Sequence, residues 1–264
     1  MYYKKYIIKT FSYIKEYMKI RYFSDLHLEF IKPNEIGEFI KKIPPGFDEI
    51  CICAGDIGNP YDDNYNTFMH FVNEHFKKTF VIAGNHEYYN KKGIKETNQY
   101  LLEYFDKYNN ISFLNNSIEY YCDYCFIGST LWSKITNPYY EINDVCKIPN
   151  FNYIEYNKLN TICIDFLETS LEKNLNCIVI THHVPSNTLI NIKYKTSSME
   201  PFNQWFYSDL DTLIEKHKTK IKCWIYGHTH TTSFNTIHEI PFLCNPIGYP
   251  NENKVDFSKT VILD

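Results

Sequence analysis

Five short polar motifs punctuate this 264-residue chain, and each follows an apolar run of strand-like composition. Asp25-Leu26-His27 comes after Ile20 to Phe23, Gly55-Asp56 after Glu49 to Cys53, and Gly84-Asn85-His86-Glu87 after Thr79 to Ile82. Thr181-His182-His183 comes after Cys177 to Ile180, and Gly227-His228-Thr229-His230 after Lys222 to Tyr226. In α/β sheets, ligands bind beyond the carboxyl ends of the strands, which is where all of these motifs fall. Each supplies Asp, Asn or His, the oxygen and nitrogen donors that suit hard or borderline divalent metals. Any one such pair arises often by chance; the ordered set does not.

The spacing within the motifs suits chelation. Residues two apart in extended chain point to the same side, so Asp25 with His27, and His228 with His230, can grip one ion from one segment. Gly55, Gly84 and Gly227 let the backbone turn tightly just before the donors. The carboxylate of Asp56 has two oxygens and is the natural bridge between two cations about 3.5–4 Å apart. Asn85 offers a neutral amide oxygen, which limits the negative charge of the site. The chain has neither a G-x-x-x-x-G-K-(S/T) phosphate loop nor a G-x-G-x-x-G fingerprint, which argues against an ATPase or a dehydrogenase. No Ser or Cys sits in a motif suited to a nucleophile.

The order D-x-H, G-D, G-N-H-(D/E), H, G-H-x-H resembles the calcineurin-like metallophosphoesterase superfamily, over roughly residues 18 to 264. Ser24 to Phe30, Thr181 to Ser186 and Cys244-Asn245-Pro246-Ile247-Gly248-Tyr249-Pro250 further resemble a subgroup of microbial predicted phosphoesterases. That subgroup usually reads N-P-R-G-Y in the last segment, so Ile247 replaces an arginine and removes any anion contact it would make. The chain also lacks the G-D-x-x-D-R-G of the Ser/Thr protein phosphatases, reading Gly55-Asp56-Ile57-Gly58-Asn59-Pro60 instead.

The resemblance implies an α/β fold of two mixed β-sheets packed face to face and flanked by helices, in four layers. It implies two divalent metal ions, with Mn, Fe or Zn favoured over Mg or Ni by the donor types. One would be held by Asp25, His27, Asp56 and His230, the other by Asp56, Asn85, His182 and His228. His86 aligns with the catalytic histidine, which would assist the leaving oxygen while hydroxide held between the cations attacks phosphorus in line. The implied partner is a phosphate-ester substrate, with nucleic acid only in that role. Phosphomonoester, phosphodiester and pyrophosphate bonds all remain open. His183 is a candidate to contact substrate, orient a ligand or merely pack, and Lys193, Tyr194 and Lys195 in the loop beyond it are candidate substrate contacts if they are not simply a solvated loop. Glu87 is placed to orient His86. The rival reading is a non-catalytic interaction platform on the same scaffold; the discriminating feature is the ligand set, which is complete here.

Bulk properties agree with a single domain. The chain is 44% hydrophobic and 22% charged, with a formal net charge of -4, so no global basic field points to nucleic acid. The nine cysteines are scattered mainly in apolar runs, as small buried residues of a reducing compartment. Cys122-Asp123-Tyr124-Cys125 is a lone C-x-x-C that reads as a tight hairpin. No apolar stretch approaches the length of a membrane span and no secretory signal is evident, so the expected location is the cytoplasm. Residues 1–17 carry no motif and are expected to be a dispensable extension of a domain over 18–264.

Among the elements, Asn64 to Lys78 has helical spacing through Phe68, Phe71, Val72 and Phe76. Tyr153 to Lys173 reads as a long helix with Leu159, Ile162, Cys163, Phe166, Leu167 and Leu171 on its buried face. Short strands are expected at Ile111 to Leu114, Ser117 to Tyr121 and Tyr124 to Gly128. Others at Ser233 to His238, Pro241 to Cys244 and Thr260 to Leu263 are expected to close a second sheet.

Overall fold

The computed structural model describes residues 17–250, 252 and 256–263. The expectation about residues 1–17 therefore lies, Tyr17 apart, outside the described residues. Strands β1 (Met18–Phe23), β2 (Gly46–Ala54), β3 (Phe76–Ile82) and β4 (Ile111–Phe113) lie parallel and adjacent, with β11 (Thr260–Leu263) antiparallel beside β1. A six-stranded sheet has the order β5 (Ser117–Tyr121), β6 (Tyr124–Ser129), β7 (Cys177–Thr181), β8 (Ile221–Tyr226), β10 (Ile240–Cys244), β9 (Ser233–Ile237). Its four central strands are parallel and both edges antiparallel.

Alternation along the strands explains the layering. Ile20, Tyr22, Ile50, Ile52, Phe80 and Ile82 of the first sheet pack against Phe126, Ile178, Ile180, Ile225 and Leu243 of the second. Phe80 and Phe126 stack at 3.9 Å between centroids. The intervening residues, such as Phe23, Cys51, Cys53 and Val81, face outward into a second core with α2 (Asp63–His75) and α3 (Gly93–Phe105). On the other side, α5 (Tyr153–Lys173) and α7 (Asp211–His217) cover the second sheet, completing two mixed sheets between helices. Strands buried on both faces read as near-continuous apolar runs, which is why these segments stood out in the sequence. Short helices α1 (Ile36–Ile40), α4 (Asn143–Lys147) and α6 (Glu200–Asn203) lie in the connections.

Three sequence expectations need correction. The helix expected to reach Lys78 ends at His75, because Phe76 opens β3 opposite Gly46. Phe76 fits the helical spacing, but its buried ring is anchored in the sheet. The strand Thr260–Leu263 does not close the second sheet; it pairs with β1, Met18 opposite Leu263, and caps the edge of the first. On α5 the buried face is turned from the expected one: Ile162 is 45% exposed, whereas Tyr156 and Asn160 are buried with Cys163 and Leu167. Asn152 starts α5 by accepting from the backbone N–H groups of Ile154 and Glu155. The C-x-x-C forms the expected hairpin, with Cys122 exposed in the turn and Cys125 buried in β6.

The topology delivers the motifs to one place. β1, β2 and β3 are parallel neighbours in one sheet and β7 and β8 in the other, so the loops leaving their carboxyl ends emerge along a shared edge.

Candidate metal centre

At this edge Asp25, His27, Asp56, Asn85, His86, His182, His228 and His230 converge, all buried except His230, which is largely so. Among the described residues, three groups have donor atoms within 4.8 Å of one another and could hold an ion: Asp25-His27-His230, Asp56-His182-His228 and His27-Asp56-His86. His27 Nε2 lies 3.0 Å from His230 Nε2, and His230 Nε2 is 3.4 Å from Asp25 Oδ1. Asp56 Oδ2 lies between the first two groups, 3.3 Å from His182 Nε2 and 3.9 Å from His27 Nε2. Asn85 Oδ1 is 3.0 Å from His182 Nε2.

The ligand pairs are not made by extended chain, as the spacing suggested. Asp25, His27, Asp56, His228 and His230 all have φ between 46° and 66°, in the left-handed region. Side chains there carry strain that surrounding structure must hold, and such strain concentrates at functional sites. Here the holding is mutual. The N–H of Asp25 donates to Gly55 O and that of His27 to Asp56 O, both at 3.0 Å. The N–H of His228 donates to the Asp25 carboxylate at 3.1 Å, and that of His86 to Asp56 Oδ1 at 2.8 Å. The motif glycines divide their roles. Gly55 has φ +85°, but Gly84 is needed because an added Cβ would fall 2.2 Å from Asp56 Oδ1.

Glu87 does not orient His86. The 3-10 turn His86–Tyr88 sends the two side chains apart, and the Glu87 carboxylate accepts from the backbone N–H groups of Gly84, Asp56 and Ile57 at 2.7, 3.0 and 2.8 Å. It ties together the loops after β2 and β3. Burial and the nearby charge of Asp56 push its carboxyl up to about 8, against the pull of those donors. Glu87→Ala would strand three buried N–H groups, each worth about 1–3 kcal/mol. A loss of at least about 3 kcal/mol should lower Tm by roughly 6–12 °C in a chain of this size. Thermal melts of the metal-free protein check this; a Tm unchanged within about 2 °C would show the clamp to be dispensable.

The partner of His86 is Glu29, whose Oε1 accepts from His86 Nδ1 at 2.8 Å; Tyr249 Oη lies 3.2 Å from His86 Nε2. Burial alone would lower the His86 imidazole, but Asp56 and Glu29 outweigh it and raise it above its ordinary value.

The donor set fits divalent cations on its own chemistry. His27 Nδ1 meets Glu29 Oε1 at 3.2 Å, His230 Nδ1 meets Glu252 Oε2 at 2.6 Å, and His182 Nδ1 meets Ala54 O at 3.0 Å. Ionised carboxylates and a carbonyl only accept, so each Nδ1 carries a hydrogen and each Nε2 is the nitrogen turned inward, able to bind an ion once any proton on it is displaced. Outer hydrogen bonds orient metal-binding histidines in this way. His228 Nε2 is buried with no hydrogen-bond partner, the cost expected where an ion is the intended partner. The field agrees. Burial opposes charge on His182, yet Asp56 pushes it up to about 10, and Asp25 with Glu252 pushes His230 up to about 9. Burial would raise the Asp56 carboxyl, but the surrounding imidazoles hold it well below the usual carboxylate range.

Asn85 has a further support. Its Nδ2 donates to Asp144 Oδ1 at 2.8 Å, leaving Oδ1 to face His182. Tyr89 and Tyr156 also donate to the buried Asp144 carboxyl. His183, a candidate to contact substrate, is fully buried and does not line the cavity over the site. Its ring packs 4.2 Å from that of His228, with Nδ1 on Thr130 O and Nε2 on Tyr156 Oη. Burial, then the charge of His182, push it down to about 3, so it stays neutral. Of the three candidate contacts in the loop beyond His183, Tyr194 lines the cavity and Lys193 and Lys195 do not. Ile247 lines a different hollow, beside Leu26 and Phe39. Sequence reasoning missed the roles of Glu29, Tyr89, Asp144 and Glu252; of these only Glu29, two residues from His27, had a local signal.

Two helix-flanked mixed sheets, with an Asp/Asn/His cluster able to hold metal where their parallel strands end, define an α/β sandwich of phosphoesterase type. The chain belongs to the calcineurin-like phosphoesterase family, which matches residues 18–232. It is 33% identical over 262 residues to an uncharacterised protein of Acanthamoeba polyphaga mimivirus, covering 88% of this chain and 92% of that one. A phosphopantetheinyl hydrolase from Mycobacterium tuberculosis shares the fold at TM-score 0.66 and 16% identity, over 89% of this chain and 90% of that one. Among the described residues no helix is long and apolar enough to cross a membrane.

Proposed function

We propose that the protein is a dinuclear metal-dependent hydrolase of phosphate esters. The observation that carries this reading is Asp56, whose one carboxylate oxygen faces His182 from one donor group and His27 from the other. One ion would take Asp25, His27, Asp56 and His230, and its neighbour Asp56, Asn85, His182 and His228. Such ions, when bound, polarise phosphoryl oxygens and lower the pKa of water.

The chain's own residues supply position and protons. Glu87 and the backbone hydrogen bonds hold Asp56 and Asn85 in register. Glu252, Glu29 and the Ala54 carbonyl fix the imidazoles of His230, His27 and His182. His86 is within 4.8 Å of His27 and Asp56 but has both ring nitrogens engaged, by Glu29 and Tyr249. That favours a proton donor over a ligand. Protonated and backed by Glu29, it would pass the Nε2 proton to the departing ester oxygen.

The test uses purified protein reloaded with Mn²⁺ or Zn²⁺. Release of nitrophenolate from p-nitrophenyl phosphate or bis(p-nitrophenyl) phosphate well above a metal-only control is expected, and the faster ester assigns the mono- or diesterase class. No turnover of either would favour the interaction-platform reading.

A further inference from the structure

The cavity above the candidate metal centre, about 470 Å³, has walls that restrict what an ester can carry besides its reacting phosphate. Part of the lining is apolar, from Ile142, Ile190, Met199 and Phe206, the Phe206 ring packing 4.7 Å from that of His228. Glu141 and Glu252 add carboxylates to the lining. Among the described residues no lysine or arginine lines it. A second phosphate or a carboxylate on the substrate would meet no lysine or arginine there, since the imidazoles of His86 and His230 are already paired with Glu29 and Glu252, and it would lie near the Glu141 carboxylate. Like charges at such range repel appreciably when the space between them is partly dry, and their placement is a standard way to reject a wrong ligand. The apolar part of the lining, in turn, gains by covering apolar surface of the bound ester.

We propose that the organic group of the substrate is uncharged and partly apolar, and that the acidic lining selects against esters carrying a second anionic group. This rests on the phosphoesterase reading above and names the substrate class of that same site. It disfavours nucleotide polyphosphates and oligonucleotides, whose additional phosphates would lie against Glu141.

The test compares kcat/KM of the metal-loaded protein for 4-propylphenyl, phenyl and 4-carboxyphenyl phosphate, followed by phosphate release. Chemistry alone favours the carboxylated ester, whose phenol is the more acidic. The expected order is propyl above phenyl above carboxyl, with about 10-fold or more between the neutral and carboxylated esters, the span of one modest charge repulsion. In Glu141→Lys, which turns a repelling charge into an attracting one, the ratio of phenyl to carboxyphenyl should shrink several-fold. Turnover of all three at similar rates, preference for the carboxylated ester, or discrimination that Glu141→Lys leaves intact would overturn the inference alone. No turnover of any of them would overturn the hydrolase reading and this inference with it.

Discussion

Asp56→Ala should lose both metal ions and reduce phosphate-ester hydrolysis to background. The expectation comes from where the carboxylate stands. Its Oδ2 is 3.3 Å from His182 Nε2 and 3.9 Å from His27 Nε2, so in the proposed centre it would complete the donor set on either side. Its Oδ1 accepts from the N–H of His86, so the same group also fixes the next loop. Asn85→Ala should behave differently. The Asn85 amide oxygen meets His182, on one side only, and its removal should weaken one ion while leaving the Asp25-His27-His230 group intact. Elemental analysis and calorimetric titration of the two variants separate these outcomes. One undisturbed tight site in Asp56→Ala would contradict the bridge.

His86→Ala should separate chemistry from metal binding. Its backbone N–H, which alanine keeps, makes the bond to Asp56, so the loops that carry the candidate ligands should survive loss of the ring. The imidazole itself is held by Glu29 and raised above its ordinary pKa by Asp56 and Glu29 once the opposing effect of burial is overcome, a shift in the direction a proton donor needs. General acid catalysis is typically worth about 100- to 10,000-fold. The loss should approach the upper end for alkyl esters, whose leaving alkoxides need a proton, and be much smaller for nitrophenyl esters. An equal loss on both would point to charge stabilisation of the phosphoryl group instead. Loss of an ion would make His86 a ligand, as its proximity to His27 and Asp56 also allows.

What the sequence made legible was local. The donor pairs Asp25/His27 and His228/His230 are close in the chain because one loop supplies both, so their spacing survives as a pattern. The residues of each pair do come together, but not in extended chain: all four sit in left-handed turns after the strands, and residue spacing cannot distinguish the two. Glu87 shows the opposite limit. Adjacent to His86 in sequence, it points away from it, and the carboxylate that reaches His86 comes from Glu29, 57 residues earlier. Asp144 had no signal at all, lying 59 residues from the Asn85 it orients, in a five-residue helix without a motif. The misplaced final strand has the same origin. Thr260–Leu263 reads as a strand wherever it pairs, and only tertiary packing sends it to the edge beside β1.

The most direct measurement is a metal titration followed by activity. Protein stripped with chelator should hydrolyse neither p-nitrophenyl phosphate nor its bis-ester. Adding Mn²⁺ or Zn²⁺ should restore turnover, with the break in the titration at about two ions per chain, the number a bridged site requires. Full activity in protein verified as metal-free, or saturation at a single ion with Asp56→Ala still active, would contradict the dinuclear account.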